Sequence, residues 1–195
     1  MLNPKMAPTV VELASSDREF AWTADQFMGM ANSGMFAESH RVELIEGHIR
    51  EEMPQGDEHY SIYAALEFAF QAMGGVFAGI KSSPTLLLGG GDVYDPEYLI
   101  VTADAPKRGR PEVRHVILAV EVSWSSLDKD MGPKKRGYAR AGVPHYWVFD
   151  AVHGRLHAFS EPQNETYATE KVLSAGDQIE VPGVGQTLQL SKIFA

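Results

Sequence analysis

Glu121 lies inside the apolar run Val116-Ile117-Leu118-Ala119-Val120-Glu121-Val122, where a strand core should hold no charge unless something repays the loss of its water. An acid so placed is either paired with a cation or holding a metal, and Lys134 and Lys135 follow within folding reach. Pro96-Glu97 opens one predicted strand, Glu121 interrupts the next, and Lys134 falls on a predicted helix. Two carboxylates from neighbouring strand ends can hold one hard divalent ion, Mg²⁺ or Mn²⁺, through oxygen, with waters in its other positions. Water beside such an ion becomes a nucleophile, and a nearby lysine can orient it and stabilise charge growing on a phosphate. Asp130, Lys134 and Tyr138 stand at i, i+4 and i+8, on one helix face. The alternative is a buried Glu121 to Lys134 salt bridge without catalysis. On residue types alone that alternative needs fewer assumptions.

The elements that must carry these residues can be read from spacing. Thr23 caps a short helix through Phe27 and Met30, which Asn32-Ser33-Gly34 ends. The alternation around Glu46-Gly47 predicts a hairpin with Val42, Leu44 and Ile49 inward. Residues 59–73 place Ile62, Leu66, Ala69, Phe70 and Met73 at helical spacing, with Gly74-Gly75 as the stop. Strands are expected at 76–80, 85–88, 98–101, 116–122 and 146–149, and a peripheral hairpin at 156–159 and 167–173. A helix over 129–140, closed by Gly142 and Pro144, makes the unit around Glu121 βαβ-like.

Composition narrows the function classes. With 195 residues and 44% hydrophobic content, the chain suits an arm over residues 1–21 and one domain over 22–195. Zero cysteines exclude a disulfide framework and thiolate metal sites. No signal peptide or membrane span is expected, which points to a soluble cytoplasmic protein. A net charge of −9 opposes broad attraction to nucleic acid, although Lys107, Arg108, Arg110 and Arg114 precede the Glu121 strand and Lys135, Arg136 and Arg140 follow it. These clusters form either a local nucleic-acid patch or two solvated faces.

The order of motifs resembles a known family. Arg41-Val-Glu-Leu-Ile-Glu-Gly47, Gly56-Asp-Glu-His59, Pro96-Glu97, Val120-Glu-Val122, Ser125-Ser-Leu127, Asp130 with Lys134, and Tyr138-Ala-Arg-Ala-Gly-Val-Pro-His-Tyr-Trp147 are similar to the Uma2 family of the PD-(D/E)XK superfamily. The resemblance implies a restriction-endonuclease-like α/β (α+β) fold: a mixed central sheet flanked by helices, with an added N-terminal helix and hairpin and a C-terminal hairpin. It implies Mg²⁺-dependent phosphodiester cleavage of DNA, with the motif lysine moved from the strand to the next helix. Carried over, Glu97 is the first acid, Glu121 the second and Lys134 the lysine, while Glu43 and His59 match family positions near the pocket.

This chain departs from the pattern in two places. The family has aspartate after the proline, where this chain has Glu97. A carboxylate one methylene longer strains near-ideal octahedral geometry, so a weakened or inactive nuclease-fold binding protein is the competing expectation. Asp95 would share the ion if its strand already begins there. Trp124 replaces a small or acidic residue and either caps the core or stacks a base. A phosphodiesterase for small substrates is a third reading, and an active enzyme is expected to be a homodimer, since two cuts need two sites. Gly89-Gly90-Gly91 lacks a phosphate-loop lysine and is expected to turn; His153 and His157 belong to a hairpin rather than to zinc; Asn164 marks a turn.

Overall fold

A computed structural model describes residues 20–36, 41–52, 56–74 and 80–195. Most of the expected arm, and most of the strand expected at 76–80, lie outside these residues. The first helix, α1 (Ala24–Asn32), starts at a capping box in which Thr23 accepts from the Gln26 N–H and Gln26 reaches back to the Thr23 N–H. The hairpin of β1 (Val42–Ile45) and β2 (His48–Glu51) turns through Glu46 and Gly47, both at positive φ (51° and 77°), the two-residue turn that suits strand twist. Helix α2 (Asp57–Gly74) follows, then the short strands β3 (Ile80–Ser82), β4 (Leu86–Leu87) and β5 (Val93–Tyr94).

The chain then builds its main sheet. Strands β6 (Tyr98–Val101), β7 (Val116–Ser123), β8 (His145–Asp150), β9 (Arg155–Gln163) and β10 (Thr166–Ser174) join β3 in the order β10-β9-β8-β7-β6-β3. Only β7 and β8 run parallel within it, because a helical crossover separates them; the other neighbours are antiparallel. A second sheet runs β2-β1-β5-β4. The hairpin expected to be peripheral is instead the outer pair of the main sheet, because β9 pairs with β8 along its length and buries Phe159. A later hairpin of β11 (Gln178–Val181) and β12 (Gln186–Gln189) closes the chain, and its Leu188 packs into the core.

The strand alternation of β7 separates two cores. Leu118, Val120 and Val122 meet Ile62, Leu66 and Phe70 of α2 on one face. Ala119 and Glu121 share the other face, where Tyr138, Ala139, Tyr146 and Val148 pack. The crossover on that face runs as α3 (Leu127–Lys129), a π turn (Asp130–Lys134) and α4 (Lys135–Arg140). Pro133 has no N–H to give and crowds the preceding turn, and the widened π turn absorbs it without ending the helix. Among the described residues no helix is long and apolar enough to cross a membrane.

Candidate active site

Strand register brings the two acids together. Tyr98 pairs with Val120 and Leu99 with Ala119, so extending the ladder by one place sets Glu97 opposite Glu121. Glu97 is 5% exposed and Glu121 3%. Glu97 Oε2 accepts the Val122 N–H at 3.0 Å, and Oε1 lies 3.3 Å from His59 Nε2. Glu121 Oε1 accepts from the Tyr138 hydroxyl at 2.8 Å and meets Lys134 Nζ at 2.5 Å. The i, i+4, i+8 face of Asp130, Lys134 and Tyr138 therefore converges on Glu121, even with a π turn inside it.

Glu43 completes the cluster from the second sheet. In β1, Leu44 faces Phe27 and Val93, while its neighbour Glu43 projects the other way and is just as buried. Lys134 Nζ donates to Glu43 Oε1 at 2.8 Å and Lys129 Nζ to Oε2 at 3.1 Å, while the Asp95 N–H donates to Oε1 at 2.9 Å. Asp130 Oδ2 accepts from Ser123 and Ser126, each at 2.6 Å, and its Oδ1 lies 3.9 Å from Lys134 Nζ. The Lys134 ammonium also sits 5.5 Å from the centre of the Tyr94 ring.

These contacts set the charge states. Burial favours a neutral Glu43, but the two lysines overcome it and hold its pKa down at about 2. Burial would lower Lys134, yet Glu121, Glu43 and Asp130 keep it well above the usual lysine range. Burial drives Glu121 well above the carboxylate range; Lys134 opposes this, and Glu97, Asp130 and Glu43 add to it. Burial is outweighed at Glu97 by hydrogen bonds from His59 and Glu121, which hold it low. Burial raises Asp130. The two facing acids therefore shift in opposite directions, Glu97 downwards and Glu121 upwards.

The donor set fits a hard divalent cation. Four buried carboxylates, Glu43, Glu97, Glu121 and Asp130, face one buried lysine and one partly exposed lysine, so the cluster lacks positive charge. Among the described residues no three His, Cys, Asp or Glu side chains already form a ligating group. The protein's share would be Glu97 and Glu121, with water or phosphate oxygens completing the shell, which is the habit of Mg²⁺. Both acids line a small cleft of about 30 Å³, with Glu52, His59, Trp124, Ser126, Lys129 and Lys134 among its other walls.

Other expected residues lie elsewhere. Asp95 faces a separate pocket with Phe27, Arg41 and Arg110, because β6 begins at Tyr98 and the alternation that would align Asp95 with Glu97 does not extend back that far. Lys107, Arg108, Arg110, Arg114 and Lys135 do not line the cleft. Arg114 pairs with Glu112 at 3.0 Å, and Lys135 lies 4.9 Å from the centre of the Phe159 ring. Sequence reasoning missed Lys129, Glu52 and Ser123. Lys129 lies five positions before Lys134, off the face that an α-helix would align with it.

A mixed sheet with flanking helices, crossed on one face by this acid and lysine cluster, defines a protein of restriction-endonuclease-like fold. The chain belongs to the Uma2 family, whose description is "Putative restriction endonuclease" and whose profile matches residues 24–191. Among solved structures, "a putative nuclease belonging to DUF820" from Anabaena variabilis ATCC 29413 superposes with a TM-score of 0.64 at 16% identity, covering 88% of this chain and 97% of that one. No curated protein matches the chain.

Proposed function

We propose that the protein is a metal-dependent DNA endonuclease, cytoplasmic and homodimeric, with Glu97 and Glu121 holding Mg²⁺ or Mn²⁺. The observation that carries this reading is the apposition of two buried carboxylates at the wall of a cleft, in a cluster short of positive charge. When bound, the ion supplies charge for the phosphate and lowers the pKa of a water. The Val122 N–H and His59 keep Glu97 aimed. Tyr138 and Lys134 hold Glu121 in place. Lys129 carries positive charge to the cleft, where an anionic phosphate would lie.

The test is cleavage of supercoiled plasmid and of single-stranded DNA with Mg²⁺ or Mn²⁺. Wild type should cut, and Glu121→Ala and Lys134→Ala should not. A second reading, a nuclease-fold binding module, is favoured by Lys134 itself, which is 1% exposed and has its ion pairs met within the protein. A wild type that neither cuts nor takes up either metal in a calorimetric titration counts against the nuclease and gives that second reading the lead.

A further inference from the structure

We propose that an unpaired nucleobase stacks on Trp124 at the mouth of the cleft, so that the substrate is single-stranded nucleic acid or an unpaired stretch of a duplex. This rests on the nuclease reading above and names its substrate class. Trp124 follows directly on the last residue of β7 and is 39% exposed, whereas Trp147 is buried in the core. Its indole lines the same cleft as Glu97 and Glu121.

The indole has a fixed seat. A Cβ built on Gly56 would stand 2.8, 2.9 and 3.0 Å from Trp124 Cε2, Cζ2 and Cδ2. Such even distances to three atoms of the fused rings mean that the indole lies flat on the glycine. Gly56 lies against one face, and the residue keeps 39% of its surface exposed for a stacking partner. Gly56 immediately precedes α2 and accepts the Tyr60 N–H at 3.2 Å, which ties the seat to a long helix. Tyr60 is 59% exposed and adds a second aromatic one turn from that seat.

Charge argues for the same substrate. Gripping a duplex through its phosphates takes several free cations. The described residues that line the cleft include two lysines and no arginine, and both lysines are held by carboxylates. Glu52, Glu97, Glu121 and Asp130 line it as well, and the whole chain carries −9. A strand entering here gains little from its phosphates apart from the one at the reacting centre. Stacking is the remaining source of affinity, and stacking requires a base freed from its partner.

The test measures binding with Ca²⁺ in place of Mg²⁺, by anisotropy of labelled oligothymidylate and of a duplex of equal length. Wild type should prefer the single strand. Trp124→Ala should weaken that binding about tenfold, the scale of one stacked base, and Trp124→Phe should weaken it less. Gly56→Ala should also weaken it, by pushing the indole off its seat while leaving it in the chain. Unchanged melting temperatures exclude misfolding as the cause, and parallel titrations with oligouridylate tell a ribose strand from a deoxyribose one. Single-strand binding by Trp124→Ala equal to wild type, or a preference for the duplex, overturns the proposal. If duplex is still cut by Trp124→Ala at the wild-type rate, the nuclease reading stands and this inference alone falls. If wild type binds neither probe, both fall together.

Discussion

Lys129 and Lys134, five residues apart on one helical segment, hold opposite oxygens of the same carboxylate, that of Glu43. In an α-helix, residues with that spacing diverge by about 140°. The π turn at Asp130–Lys134 removes most of the divergence and gives the site two cations of different exposure, 23% and 1%.

The difference in exposure separates their roles. Lys134→Met should cost about 3–5 kcal/mol in urea denaturation, since it removes the buried cation shared by Glu43 and Glu121 and leaves Glu43 with Lys129 alone. Lys129→Ala should cost less than Lys134→Met, because Glu43 keeps its buried partner, yet lower kcat/KM at least tenfold, as expected when a preorganised charge is removed from the phosphate. A fully active Lys129→Ala enzyme would remove that lysine from the mechanism.

Glu121→Gln should abolish calorimetric uptake of Mn²⁺ while leaving unfolding stability within about 1 kcal/mol of wild type. The second half follows because burial already favours the uncharged form of this side chain. Metal uptake that survives the substitution would place the ion elsewhere.

Glu97→Asp should reduce cleavage by at least about tenfold rather than raise it. Both carboxylate oxygens of Glu97 are engaged, one by Val122 and one by His59, and a side chain one methylene shorter cannot keep both contacts. Faster cleavage by the aspartate variant would mean that the longer side chain is a defect.

Gly137→Ala tests the support behind Lys134. A Cβ at Gly137 would collide with the Tyr94 hydroxyl oxygen, and the Tyr94 ring packs beside the Lys134 ammonium. The crowding should cost about 1–3 kcal/mol, read as a lower denaturation midpoint. Wild-type stability would show that Tyr94 has room to move.

The pH dependence of stability should carry the signature of Glu43. Its pKa falls from 4.5 to about 2 on folding, so between these values the unfolded chain binds more protons than the folded one. Its contribution is complete above about 4.5 and drains away as pH falls towards 2. Part of the stability gap between wild type and Glu43→Gln, about 3 kcal/mol, should therefore vanish across that window. A constant gap, measured by urea titration at successive pH values, would refute the pairing with the lysines.

The sequence by itself determined the pieces whose signals are local. The Thr23 cap, the Glu46-Gly47 turn, the spacing of Ile62, Leu66 and Phe70, and the apolar run around Glu121 each follow from contacts between near neighbours in the chain. The motif order around Val120-Glu-Val122 and Tyr138 to Trp147 identified the family. Pairings across long separations were decided only in three dimensions. The register of β6 against β7 sets Glu97 opposite Glu121, and the docking of the β1 sheet, 91 positions before Lys134, brings in Glu43. The π turn carries Lys129 onto that same carboxylate, and the late start of β6 leaves Asp95 in another pocket. Periodicity says which face of an element is apolar, but not which element will cover it. That is settled by packing and strand register, which depend on every layer of the fold at once.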